Sequence, residues 1–248
     1  MTKLFLIPFI SFSLYAQSAL EIAKQSFDKV SHYKSSISTT TMTLQNAHGV
    51  QNIRKLEIKK LENFDGDKSL LTFLYPNDLT GTKLLSFEMI GKDDKQWLYL
   101  PAIKRIKRIS SRNKSGSFMA SEFSYEDISS QNYKNYTYNS EVKNVKIDGI
   151  NYFQIIRMPK DKHSGYSKQV LWIDSNSYLL KFGEYYDKRK KLLKKVVFSK
   201  YIQLGDVYRV HKIEMKNIQN KKSSTLVWDT DEIDVSLSKR VFSKRALK

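Results

Sequence analysis

The sequence predicts a mainly β fold: a single large curved antiparallel sheet, one N-terminal helix and short helical segments between strands. Three observations predict it. Val, Ile, Phe, Tyr and Trp recur at strand spacing along most of the chain, and such residues suit a pleated surface. Turn signals at Asp65-Gly66, Asp148-Gly149, Ser175-Asn176 and Gly205-Asp206 divide these stretches. No Pro/Ser/Gly-rich linker and no internal repeat parts one half from the other, so residues 17–248 read as one domain.

Taken in order, the first element is an export signal. Lys3 precedes an apolar run from Leu4 to Leu14, and the small residue Ala16 offers a cleavage point before Gln17, with Ala19 a second candidate. A membrane anchor needs about 18 or more apolar residues, and this run is shorter. Residues 18–33 follow as a helix with Leu20, Ala23, Phe27 and Val30 on one face. Strands are expected at 36–44, 50–61, 70–75 (stopped by Pro76), 83–90, 96–100 and 103–110. A loop over 111–121 and a short helix over 122–129 come next. The second half reads as strands at 136–147, 151–158, 167–174, 179–187, 192–204, 207–217 and 224–235, with a terminal helical turn at 242–247. Sequential strands pair with their neighbours, and so wide a sheet must curl or close.

Composition narrows the function. The chain has no cysteine, so neither a disulfide framework nor a lipid on an N-terminal Cys is expected, and the exported product should be soluble. Lys and Arg number 43 against 25 Asp and Glu, a net charge of +18; losing residues 1–16 removes only Lys3 and leaves +17. In the cytoplasm that excess would point to nucleic acid. An exported chain meets phospholipid headgroups and anionic glycolipids instead, so an anionic membrane surface is a possible partner and nucleic acid is not expected. Lysines scattered from end to end equally fit a plain solubilising role.

Chemistry-bearing motifs are scarce. His32, His48, His163 and His211 are scattered without metal-ligand spacing, and no serine sits in a nucleophile-elbow context. No metal, cofactor or catalytic residue is expected. Glu122, Glu126 and Asp127, interleaved with Phe123 and Tyr125, could supply acid–base groups. The alternative is a structural acidic knot in which the aromatics pack on the sheet and the acids meet Arg105, Lys107 or Arg108. Lys104, Arg105, Lys107 and Arg108 form a basic rim: either a surface for lipid phosphates or an acidic partner, or an edge strand protected from aggregation by its charges. The 70–99 strands carry apolar residues on both faces. Leu71 and Phe73 alternate against Leu70 and Leu74, and Leu85, Phe87 and Met89 against Leu84 and Ile90. One face of such a sheet can line a cavity while the other is covered.

The Pro76–Gly81 turn, the Trp97–Ser110 run WLYLPAIKRIKRIS and the Ser115–Ile128 segment SGSFMASEFSYEDI resemble the LolA-like family of outer-membrane lipoprotein-sorting proteins, in the branch often encoded beside large RND/MMPL-type exporters. Weaker matches lie at Tyr166–Asp174, Lys181–Asp187 and Val241–Leu247. One departure is Met119-Ala120-Ser121-Glu122, where the family has a Gly-Ser-Asp-like sequence before Phe123. The resemblance implies a half-open β-barrel around a helical lid, whose concave apolar face holds the acyl chains of a lipid or lipoprotein. It implies a periplasmic monomer acting as a carrier or serving an RND/MMPL-type exporter. Leu71, Phe73, Leu85, Phe87, Met89, Trp97, Tyr99, Phe118 and Met119 are the candidate lining residues. The same fold could instead serve an envelope sensor that binds a protein partner.

Overall fold

The computed structural model describes residues 17–248 except 64, 65, 93 and 130. The expected leader, residues 1–16, and Asp65 of the first turn signal lie outside the described residues. Helix α1 (Ala19–Asp28) opens on a capping box: Ser18 Oγ accepts the Glu21 N–H at 3.2 Å, and the Glu21 carboxylate accepts the Ser18 N–H at 2.8 Å. It is shorter than the expected 18–33, because the chain turns after Asp28 and His32 adopts a φ of 78°. Ala19, Ile22 and Ala23 form its buried face.

Six strands follow as a meander: β1 (Ser35–Gln45), β2 (Gln51–Leu61), β3 (Lys68–Tyr75), β4 (Lys83–Phe87), β5 (Lys95–Leu100) and β6 (Arg105–Ile109). Eight more complete the sheet: β7 (Tyr136–Tyr138), β8 (Lys143–Ile147), β9 (Ile150–Pro159), β10 (Tyr166–Asp174), β11 (Leu180–Asp187), β12 (Leu192–Leu204), β13 (Val207–Asn217) and β14 (Ser223–Ile233). The last strand returns to the first, with Met42 opposite Leu226. The order is therefore β6-β5-β4-β3-β2-β1-β14-β13-β12-β11-β10-β9-β7, with β8 also on β9. Among the described residues no pairing joins β6 to β7, and the antiparallel sheet curls without closing. Residues 110–135, with the short helix α2 (Tyr125–Ile128), connect those two edges.

Three boundaries differ from expectation for local reasons. The expected 136–147 strand is two strands on the same edge of β9: the Asn139 N–H still donates to the Ile156 carbonyl of β9, but the Asn139 side chain accepts the Ser140 N–H and the chain leaves the ladder until Lys143. Strand β4 stops at Phe87 because the Glu88 N–H turns to the Asp67 carbonyl and the Met89 N–H to the Asp94 carboxylate. Strand β6 starts at Arg105 because Pro101 begins a 3-10 turn that ends on Lys104 at a φ of 50°.

Register decides which side chains meet. One cross-strand row runs Ser38–Ile58–Leu71–Leu84–Leu98, and it faces the concave side beneath α1. The neighbouring positions, Leu70, Leu85 and Trp97, form the adjacent row and face out. They do not meet solvent. Phe242 and Leu247 from two C-terminal 3-10 turns bury themselves on this outer face, with Leu237 and Val241 beside them. Lys83 Nζ ties the tail down by donating to the Ala246 carbonyl at 2.9 Å, and Lys244 lies 4.6 Å over the Trp97 ring.

Candidate ligand cavity

A cavity of about 380 Å³ lies between α1 and the concave sheet face. That is within the range of pockets that hold small ligands. From the helix and the turn that ends it, Ala23, Phe27 and Val30 line one side. From the sheet come Met42, Leu56, Ile58, Leu71, Leu84, Leu171, Ile173, Phe198, Ile213, Leu226 and Trp228. Most of these fall at alternate positions of their strands, as a period of two requires.

The cavity also has polar groups, and most are paired. Lys60 reaches Asp67 at 2.9 Å; burial opposes its charge, but Tyr33, Asp67 and Glu62 outweigh burial and raise its pKa. Arg209 makes a fork to Asp231 at 2.8 and 3.1 Å and donates to the Tyr33 hydroxyl at 2.6 Å. Arg157 donates to Gln169 at 2.6 Å and Gln131 at 2.8 Å.

One side of the interior is filled by the 110–124 loop. Phe118 is fully buried, 5.8 Å from the Phe73 ring and 5.5 Å from that of Tyr125. The Arg54 guanidinium holds the Met119 carbonyl and lies 5.9 Å over Phe73. Met119 and Ala120 take φ of 49° and 64°, a left-handed conformation that costs an L-residue about 1–2 kcal/mol. The loop thus holds, without glycine, a backbone conformation that glycine favours.

The acidic knot is built differently from expectation. Its acids do not meet Arg105, Lys107 or Arg108: those side chains are exposed on the edge strand β6, as is Lys104, and among the described residues no carboxylate lies within 4.0 Å of them. After β6 the chain crosses to the other half of the sheet, and the acids bind there, on or beside β10, β12 and β13. Glu122 accepts from Asn217 Nδ2 at 2.8 Å. Glu126 accepts from Ser164 Oγ at 2.7 Å and from the Gly165 N–H at 2.8 Å, while burial raises its pKa. Asp127 caps α2 through the Ser124 N–H and takes the Tyr166 hydroxyl at 2.8 Å and Lys194 Nζ at 2.9 Å. The Asp127 and Lys194 side chains are 5% and 8% exposed. Tyr125 packs against the interior, as an aromatic of the knot should.

The candidate lining residues divide by face. Leu71 lines the cavity; Phe73, Phe118 and Met119 belong to the packed interior beside it. Leu85, Phe87, Trp97 and Tyr99 lie on the outer face under the C-terminal tail, and Met89 sits in the turn after β4. Sequence reasoning missed Met42, Ile58, Phe198, Ile213 and Leu226, though each stands at alternate positions with an apolar neighbour. It also missed the cavity cations Lys60, Arg157 and Arg209. The signal for Arg157 was present: it shares the inward set of β9 with the fully buried Ile155. Among the described residues no cluster of His, Cys, Asp or Glu is arranged for a metal, and no helix is long and apolar enough to cross a membrane.

A family model described as an uncharacterized protein family matches residues 65–248. A solved domain from Vibrio parahaemolyticus, named for outer-membrane lipoprotein sorting, is 42% identical with a TM-score of 0.88, over 92% of this chain and 97% of that one. A DUF1329 family protein from Desulfovibrio piger is 30% identical with a TM-score of 0.86, over 92% and 97%. A LolA superfamily protein from Nitrosomonas europaea is 17% identical but shares the fold, with a TM-score of 0.77 over 93% and 100%. No curated protein matches the chain.

Proposed function

Since the chain belongs to the LolA-like family of outer-membrane lipoprotein-sorting proteins, we propose that it is a periplasmic carrier whose cavity holds the acyl chains of a lipid or lipoprotein. The observation that carries this reading is the apolar wall of the cavity of about 380 Å³, Met42, Ile58, Leu71, Leu84, Ile213 and Leu226 facing α1. Each buried methylene contributes about 0.8 kcal/mol, so a long chain supplies ample gross binding energy, less the cost of ordering it. No step of bond chemistry is needed: the protein excludes water from a chain and releases it elsewhere. The mature carrier begins near Gln17 and works as a monomer. An RND/MMPL-type exporter is the membrane machine it would serve, and the exposed basic rim Lys104, Arg105, Lys107 and Arg108 is the surface offered to acidic partners or headgroups.

Native mass spectrometry of the protein purified from its own envelope tests the reading. A carrier retains a lipid or acylated peptide as a discrete mass increment. A sensor would instead arrive empty and bound to a protein partner, and that result would replace the carrier reading.

A further inference from the structure

Among the described residues three basic side chains line the cavity: Lys60, Arg157 and Arg209. Two are neutralised by carboxylates, Lys60 by Asp67 and Arg209 by Asp231. Arg157 is not. It is 5% exposed, and among the described residues no carboxylate lies within 4.0 Å of its guanidinium. Its partners are neutral: the Gln169 and Gln131 amide oxygens, the Tyr138 and Tyr185 hydroxyls, and the face of Tyr136 at 3.8 Å. The nearby acids are occupied otherwise. Asp127 is taken by Lys194, and Glu126 by Ser164 and Gly165. Asp94 accepts from the Met89 N–H, and Glu88 from Asn135 and the Asp67 N–H. A guanidinium stays charged at all ordinary pH, and neutral acceptors offset the cost of burying that charge only in part. It also has five N–H donors in a planar fork, and only neutral oxygens meet them.

The register places this charge at one end of an apolar track. Arg157, Gln169 and Tyr185 form one cross-strand row. Two residues further along each strand, the next inward row is Ile155, Leu171 and Gly183. Gly183 has no room for a side chain: an added Cβ would stand 2.8 Å from Val196 Cγ1. Polar head, then smooth apolar floor, is the order of an amphiphile.

Taking the carrier reading as given, we propose that Arg157 is an anion anchor inside the cavity, which binds the carboxylate or phosphate headgroup of an amphiphile whose hydrocarbon chain lies over Leu171 and Ile173 toward Ile213 and Leu226. The fork geometry suits either anion through paired N–H donors. Lys60 and Arg209 cannot play this part without first giving up their carboxylates.

The test is displacement of a cavity-bound apolar fluorophore, N-phenyl-naphthylamine, by palmitate and by hexadecanol, which differ only at the head. Palmitate should displace the probe from the wild-type protein at a concentration about tenfold lower than hexadecanol. In Arg157→Gln the two should displace alike, with hexadecanol unchanged. Arg157→Lys, which keeps the charge but not the fork, should retain part of the preference, and it carries the test should the Gln variant melt below the assay temperature. Equal displacement by palmitate and hexadecanol in the wild type overturns the anchor and leaves the carrier reading standing. Failure of the probe and both amphiphiles to bind overturns the carrier reading itself. If inorganic phosphate or acetate competes with palmitate at similar concentrations, Arg157 serves a free anion and the amphiphile assignment is wrong.

Discussion

Replacing Lys194 by Met should be one of the most destabilising single changes outside the apolar core. Its ammonium lies 2.9 Å from Asp127, and both side chains are nearly inaccessible. Met keeps most of the volume but leaves the Asp127 carboxylate buried with only the Tyr166 hydroxyl and the Ser124 N–H. Removing one partner of such a pair costs about 3–5 kcal/mol. In a chain of this size each kcal/mol lowers Tm by about 2–4 °C, so the expected fall is about 6–20 °C. The double variant Asp127→Asn with Lys194→Met removes both charges, while the amide oxygen that replaces the carboxylate still accepts from the Tyr166 hydroxyl, and it should recover at least half of the loss. Thermal unfolding followed by circular dichroism reads both numbers. Because Asp127 fixes the end of the loop that carries Phe118, limited proteolysis between 111 and 124 should also accelerate in the single variant. A Lys194→Met protein that melts with the wild type, or a double variant as unstable as the single one, would refute the buried-pair reasoning.

Other changes probe the remaining parts. Leu84→Gln, on the cavity wall, should weaken palmitate binding about tenfold or more, whereas Phe87→Gln, under the C-terminal tail, should leave it within about twofold; fluorophore displacement distinguishes the two faces. Phe242→Ala should cost about 3–5 kcal/mol by emptying the outer cluster, read as a lowered denaturant midpoint without loss of ligand binding. Glu126 supplies a pH test. Burial raises its carboxyl pKa above the ordinary 4.5, so the folded state holds the proton more tightly, and stability declines as pH rises from about 4.5 through the folded value. Glu126→Gln should flatten that part of the Tm-versus-pH curve; an unchanged curve would assign the slope to Asp94 or Glu62, whose pKa values burial also raises.

Much of the architecture was legible because it is local. The helix beginning at Ser18, the Asp148-Gly149 turn and the alternation of Phe73 and Leu71 each act within a few residues. What was not legible depends on long-range partners. Both faces of β3–β5 are apolar, and only the distant C-terminal tail decides which is covered, so Leu85 and Trp97 could not be told from Leu84 and Leu98 by pattern. Basic residues lay close in sequence to the acidic knot, yet Asp127 pairs with Lys194, because the chain after β6 carries α2 across to β10 and β12 in the other half of the sheet. A single arginine among apolar strand positions, Arg157, was visible but carried no meaning until its neighbours were known to be neutral.

The central claim is that the concave face under α1 holds an acyl chain. A fatty acid bearing a photoreactive diazirine near its methyl end, crosslinked in place and mapped by peptide mass spectrometry, tests it most directly. The account predicts labels on peptides carrying Ile58, Leu71, Leu84, Ile213 or Leu226, lost when unlabelled palmitate is in excess. Labels confined to Phe87, Trp97 and Tyr99, or spread over the surface and indifferent to palmitate, would contradict it.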